Sequence, residues 1–165
     1  MVDAFSMRAR QIVFAARFEA GECGANLIDV EDFLLELVLE DQGTLGESLF
    51  SKLHDGQGTL LNKAPSHIPF FPQDVAKNLV TRIKALLPQM KPVALSTEIP
   101  ISPALERAFG FAEAFQAQFS HSQIEPLHLL AAILKEESSQ CANLLQEFGI
   151  TSEKVLQQLR GTPGV

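Results

Sequence analysis

Four histidines, two cysteines and a crowd of carboxylates are the residues of this 165-residue chain whose types could do chemistry. His54, His67, His121 and His128 form no H-x-x-x-H pair and no His/Cys pair with metal-ligand spacing, so no metal site is expected. Cys23 and Cys141 lack C-x-x-C spacing and read as small apolar fillers, reduced in a cytoplasmic protein. Glu31, Asp32, Glu36, Glu40 and Asp41 crowd one stretch. Paired carboxylates can hydrolyse a bond if a cleft perturbs their pKa values, but a solvated helix face is the plainer reading. No G-x-S-x-G and no Cys/His nucleophile context occurs. None of the ten glycines precedes a lysine, so the phosphate-cradling G-x-x-x-x-G-K-[ST] loop is absent. No catalytic residue is assigned and no cofactor is expected.

Composition narrows the alternatives. Hydrophobic residues make up 46% and charged residues 20%, the balance of a globular domain with a real core. The net charge of −7 and a pI near 5.0 disfavour nucleic acid and anionic membrane surfaces as partners. No apolar run reaches the length of a membrane span, and the N-terminus runs into a helical pattern with no signal-peptide core.

The chain repeats itself. Shifted by 96 residues, 5–20 falls on 101–116 and 27–41 falls on 123–137, with Ser6/Ser102, Ala16/Ala112, Ile28/Ile124, Leu34/Leu130 and Glu40/Glu136 identical. Apolar spacing carries the match more than identity does. The offset falls from 95 to 80 further on, which puts an insertion of 15 residues in the first copy, within a Gly- and Pro-rich loop at 54–72. The reading is one all-α domain over 1–165, built of two pseudo-twofold four-helix repeats, about eight helices. Repeat one covers 5–87, a linker 88–100, and repeat two 101–161. Helices are expected near 6–20, 30–41, 44–54 and 73–87. Asp29 should cap the second of these, and the residue before Pro88 should end the last. In repeat two, Ser102-Pro103 and Glu125-Pro126 open helices, the third begins at Ser138 or Ser139, and Thr151 caps the fourth.

IEPLHLLAAIL (124–134), set after a capped helix in a tandem repeat, resembles the Clp N-terminal repeat. That is the double four-helix module at the front of Clp-family unfoldases such as ClpA, ClpB and ClpC. LIDVEDFLLELVL (27–39) is a weaker form of the same element, and ALLPQ (85–89) looks like the inter-repeat junction of ClpB-type domains. The resemblance implies a domain that recruits client proteins or adaptors to an ATPase ring. A freestanding adaptor docking on a Clp ATPase or protease core, or a ClpV-type domain binding one sheath helix of a secretion system, would fit the same resemblance. A small all-α enzyme sharing only the fold is a third class. Some ClpB-type domains bind substrate in a groove bordered by acidic residues and a helix-start hydroxyl. Ser6 and Ser102 match the hydroxyl and Glu31 the acid; in the second copy that position is Leu127, and the nearby loop carries His121 rather than an acid.

Apolar residues off the core faces complete the candidate set. The first helix should bury Ala9, Ile12, Val13, Ala16 and Ala20, which leaves Met7, Phe14 and Phe18 on nearly the opposite face. That second stripe either packs between the repeats or forms an exposed partner-binding patch. Phe111 has the same character in the second copy, and Ile68, Phe70 and Phe71 form a cluster in the inserted loop. His128, at a helix start, should be a structural residue hydrogen-bonded near the cap.

Overall fold

The computed structural model describes residues 4–45 and 67–161. Helix starts follow side chains that can accept from the free first-turn amides. Ser6 caps α1 (Met7–Glu22), its Oγ accepting the Ala9 N–H at 3.2 Å. Asp29 caps α2 (Val30–Asp41), where Asp32 returns the favour by accepting the Asp29 N–H at 2.9 Å. After α3 (Gln73–Lys84), Ser102 caps α4 (Pro103–Gln118), with Pro103 in the first turn. α5 (Pro126–Lys135) opens with a second capping box, made by Glu125 and His128. Ser139 caps α6 (Gln140–Glu147), and Thr151 caps α7 (Ser152–Arg160).

The fold is all-α, with seven helices and no strand among the described residues. α2 coincides with its expected span. α3 stops at Lys84, three residues short of the expected end. Leu86 and Leu87 bond back only three residues, to Ile83 and Lys84, which tightens the last turn and buries Leu87 before Pro88. The helix expected near 44–54, with His54, and most of the inserted loop lie outside the described residues.

α2 and α5 form the middle of the molecule. α2 packs against α1, α3, α5 and α6, and α5 against α4, α6 and α7. In α5 every residue from Leu129 to Leu134 is buried, the pattern of a helix enclosed on all sides. Phe109 of α4 meets Phe5 and Phe33 edge to face, with ring centroids 5.3 and 5.4 Å apart. That triad ties the segment before α1 to α2 and α4, and each ring pair contributes about 1 kcal/mol beyond burial.

Two short backbone pairings stitch the halves together. Phe5 pairs with Ile124, and Ile28 with Ile101. Both bonds of each pair recur at the 96-residue offset: Ser6 N–H to Ile124 O and Ile124 N–H to Ala4 O, then Ser102 N–H to Ile28 O and Ile28 N–H to Pro100 O, all 2.8–3.0 Å. Each pairing holds the start of a first helix against the start of the opposite second helix. The linker runs over the end of α1. Val93 N–H bonds to Gly21 O at 2.8 Å, Met90 N–H to Cys23 O at 3.0 Å, and Arg17 Nη2 donates to Ala94, Leu95 and Thr97 carbonyls. Gly24 permits this approach: its φ is +76°, and a Cβ there would lie 2.8 Å from the Met90 carbonyl carbon.

Candidate functional site

The ends of α2 and α5 that these pairings bring to the surface each open into a cleft. One, of about 510 Å³, is lined by His121, Glu125, Pro126, Leu127 and His128, with Arg8, Phe70, Phe71 and Leu159 among its walls. The other, of about 540 Å³, is lined by Ala25, Asp29, Glu31 and Asp32, with Leu86, Leu87, Met90 and Gln140. Ala25, Asp29, Glu31 and Asp32 stand 96 residues before His121, Glu125, Leu127 and His128. The two clefts are therefore equivalent in position, with histidines at two places where the other carries Ala25 and Asp32.

At the α5 cleft, histidines do the capping. His128 is fully buried, and its Nδ1 accepts the Glu125 N–H at 2.8 Å. An imidazole that accepts at Nδ1 and stays neutral must carry its proton on Nε2. That proton points at His121 Nδ1, 2.8 Å away. Burial, with the neighbouring His121 second, pushes the His128 pKa down to about 4. This pair is a hydrogen-bonded clip, and His128, with both ring nitrogens engaged, is the structural residue the sequence suggested. On the same side Arg8 forks onto Glu40 at 2.8 and 2.9 Å, and its Nη2 also lies 3.0 Å from His67 Nε2. Phe70 and Phe71 N–H groups donate to the Asp41 carboxylate at 2.8 and 3.0 Å. The loop cluster is thus split: Phe71 is buried, Phe70 half-buried, and Ile68 stands 93% exposed.

At the α2 cleft, carboxylates take the equivalent places. Asp29 Oδ1 accepts from Val30 N–H and from the Ser102 hydroxyl, both at 2.8 Å. Glu31 is half-buried, with Gln140 Nε2 3.3 Å from its Oε1. Asp32 is buried, and that burial pushes its pKa up to about 7. The solvated carboxylate face expected of this helix is not what forms. Asp32, Glu36, Glu40 and Asp41 are all buried, because α2 is enclosed by four neighbours and has no solvent side to offer them. Three of them work as structure: Asp32 in the cap, Glu40 with Arg8, and Asp41 under Phe70 and Phe71.

The candidate residues separate. Met7 and Phe14 are 69% and 55% exposed and lie two turns apart on α1. Phe18 is buried, which removes it from the exposed stripe. On the helical wheel Ala15 continues the core face round to Phe18, and Met7 and Phe14 fall just past that edge. Phe111 is half-buried, with Lys135 Nζ 4.9 Å from its ring centroid. Ser6 and Ser102 are buried, and both hydroxyls are spent on capping. Sequence reasoning passed over the linker side of the α2 cleft. Leu86 and Met90 are exposed there, and a helical wheel gives no signal for residues outside a helix. Among the described residues no helix is long and apolar enough to cross a membrane, and no cluster of His, Cys, Asp and Glu could hold a metal ion.

Comparison with known proteins agrees with this architecture. Residues 112–162 match the family described as the Clp repeat (R) N-terminal domain. The chloroplastic chaperone protein ClpC of Pisum sativum is 23% identical over 159 residues, which is 96% of this chain and 15% of that protein. The chain thus spans about one seventh of the length of this curated relative. The N-terminal domain of ClpD from Arabidopsis thaliana superposes with a TM-score of 0.61 at 17% identity, covering 96% of this chain and 99% of that one. The Hsp104 N-terminal domain from Candida albicans gives 0.63 at 17% identity, covering 94% and 88%. The chain is thus similar to Clp N-terminal domains in sequence across 96% of its length, over the matched residues 112–162, and in fold.

Proposed function

We propose that this chain is a non-catalytic protein-binding domain that recruits substrate proteins or adaptors for a Clp-type ATP-driven unfoldase or protease. The observation that supports this best is the pair of open clefts at equivalent ends of α2 and α5, each with apolar walls and a few polar groups. Met7 and Phe14 add exposed apolar area on α1, of the kind that anchors a partner. Because the Ser6 and Ser102 hydroxyls are committed to their own helices, client contacts fall to the cleft walls and rims, Glu31 among them. Such contacts suit a weak, tolerant grip on apolar segments that are to be handed onward. The two repeats with an insertion in the first, as read from the sequence, would supply the two unlike clefts.

The test uses the immobilised chain, lysate of the native organism and mass spectrometry, with a Met7→Ser/Phe14→Ser variant alongside. Both residues are exposed, so circular dichroism should show the variant folded. Retention of Clp ATPase or peptidase subunits, or of a set of clients, that weakens in the folded variant supports the reading. If neither machine nor clients are enriched over a control protein, the reading fails. Recovery of the machine alone would favour an adaptor, and recovery of clients alone a recruitment domain.

A further inference from the structure

The linker lies over the end of α1, and the repeat places an equivalent surface at the end of α4. Val93 N–H bonds to Gly21 O, Met90 N–H to Cys23 O, and Arg17 donates to the carbonyls of Ala94, Leu95 and Thr97. Under that cover Ala20, Gly21 and Cys23 are buried and Arg17 is half-buried. Their counterparts, 96 residues on, are Gln116, Ala117, Phe119 and Glu113. Each is more open: Gln116 and Phe119 are half-buried, Ala117 and Glu113 exposed. The backbone leaves both helices alike, through a positive φ of +76° at Gly24 and +55° at Ser120. Among the described residues the Ala117 carbonyl accepts from Phe119 and Ser120 of its own turn and from no distant segment. The first half therefore shows what covers such a helix end, and the second half leaves it bare.

Three substitutions set what fits there. Glu113 stands in place of Arg17, so a carboxylate replaces the guanidinium that holds the linker carbonyls. Ala117 replaces Gly21, where a Cβ would lie at an ordinary 3.6 Å from Val93 O; its one close neighbour, Arg17 Nη1 at 2.8 Å, is absent from the α4 side. Ser120 replaces Gly24, where a Cβ would meet Lys91 O at 2.4 Å and the Met90 carbonyl carbon at 2.8 Å.

We propose that the end of α4 takes a non-helical segment of a partner protein, laid over Ala117 and Phe119 as the linker is laid over Gly21 and Cys23. The proposal rests on the protein-binding reading and adds a contact surface beyond the two clefts. The linker supplies the chemistry: apolar side chains three residues apart, as Met90 and Val93 are, on a backbone that donates to helix-end carbonyls. An amide of the segment bonds to the Ala117 carbonyl. Phe119, whose ring stacks on His121 at 5.8 Å between centroids, gives a broader apolar surface than Cys23 does. A lysine or arginine follows the second apolar residue, because Glu113 stands where Arg17 meets the carbonyls of residues 94–97. The Cβ of Ser120 holds the segment off at its start, so the bond equivalent to Met90–Cys23 is lost and the grip is weak.

Titration of the full chain followed by amide NMR tests this. The probe is acetyl-Gln-Met-Lys-Pro-Val-Ala-Leu-Lys-amide, linker residues 89–95 with a lysine added, beside an analogue ending in glutamate. The amides of Ala117, Phe119 and Ser120 should shift, and the lysine peptide should bind about threefold more tightly than the glutamate one, as an exposed ion pair gives. Glu113→Lys should reverse that order. Ser120→Gly, at a φ that suits glycine, should tighten both peptides about fivefold by admitting one more hydrogen bond. Both changes are at exposed positions, and circular dichroism checks that the variants fold. An order of affinity that Glu113→Lys leaves unchanged, no gain in Ser120→Gly, or shifts confined to residues 17–24 overturns the proposal. A dimer in sedimentation velocity that Glu113→Lys disrupts would assign the surface to a second copy and overturns it too. If the peptides move no amide while the lysate capture succeeds, this proposal falls and the protein-binding reading stands. If both fail, both fall.

Discussion

Asp32 and His128 hold equivalent capping positions and should pull the stability of the fold in opposite directions as pH changes. Asp32 has a folded pKa near 7, above its ordinary 3.8, so between those values the native state holds more protons than the unfolded chain. Its contribution is fully present at low pH and is lost as pH rises through that window, by about 4 kcal/mol in all. His128 has a folded pKa near 4, below its ordinary 6.5, so in that window the unfolded chain holds more protons. Its contribution is present above pH 6.5 and is lost on acidification, by about 3 kcal/mol in all. Between pH 4.5 and 6 each slope approaches about 1.4 kcal/mol per pH unit, with opposite sign, and in the wild type the two nearly cancel. Asp32→Asn and His128→Asn each retain a capping acceptor while removing one titration. Urea unfolding followed by circular dichroism at several pH values in this range provides the stabilities. Relative to wild type, the Asp32→Asn stability should climb by about 2 kcal/mol from pH 4.5 to 6, and that of His128→Asn should fall by a similar amount. Curves that run parallel to wild type would refute the assigned burial of these two groups.

Three further outcomes follow from packing and backbone geometry. Phe18→Ser should lower stability by about 3 kcal/mol and Phe14→Ser by under about 1 kcal/mol, because only Phe18 is buried; urea midpoints distinguish them. Arg8→Met should cost about 1–3 kcal/mol at pH 7 by leaving the buried Glu40 carboxylate without its forked partner, and a Glu40→Gln change in the same chain should recover part of that loss. Gly24→Ala should cost about 2 kcal/mol or more, since φ is +76° and the linker backbone occupies the place of the Cβ; faster proteolysis within 88–98 should accompany the lowered melting temperature.

Helix starts were the most legible part of this fold. Ser102, Asp29, Glu125-Pro126 and Thr151 each announce a helix through a local bond whose partner lies within three residues, so no tertiary knowledge is needed. Helix ends were less so. The chain could have remained helical to Leu87, and only the tightened turn that sinks Leu87 into the core stops it at Lys84. The linker's path was not legible at all, because Arg17 and Gly24 acquire their roles only when a distant segment is laid across α1.

The site was legible in position but not in chemistry. Repetition alone directs attention to residues 96 apart, and the pairings of Phe5 with Ile124 and Ile28 with Ile101 convert that offset into two matched clefts. What the pattern does not carry is depth. Glu31 and Asp32 are adjacent acids, yet one is half-exposed at the cleft mouth and the other is sealed beneath it, because successive helical positions differ by about 100° and α2 is enclosed on most of its circumference. Replacing Asp32 by histidine, as the other half does, would fill the cap with a neutral group whose second nitrogen needs a partner such as His121. Ala25 occupies that place here and offers none. The carboxylate and the alanine together leave one buried oxygen unmatched, whereas His128 and His121 satisfy one another. Divergence at two equivalent positions thus suffices to give one cleft a satisfied histidine pair and the other a buried oxygen without a partner.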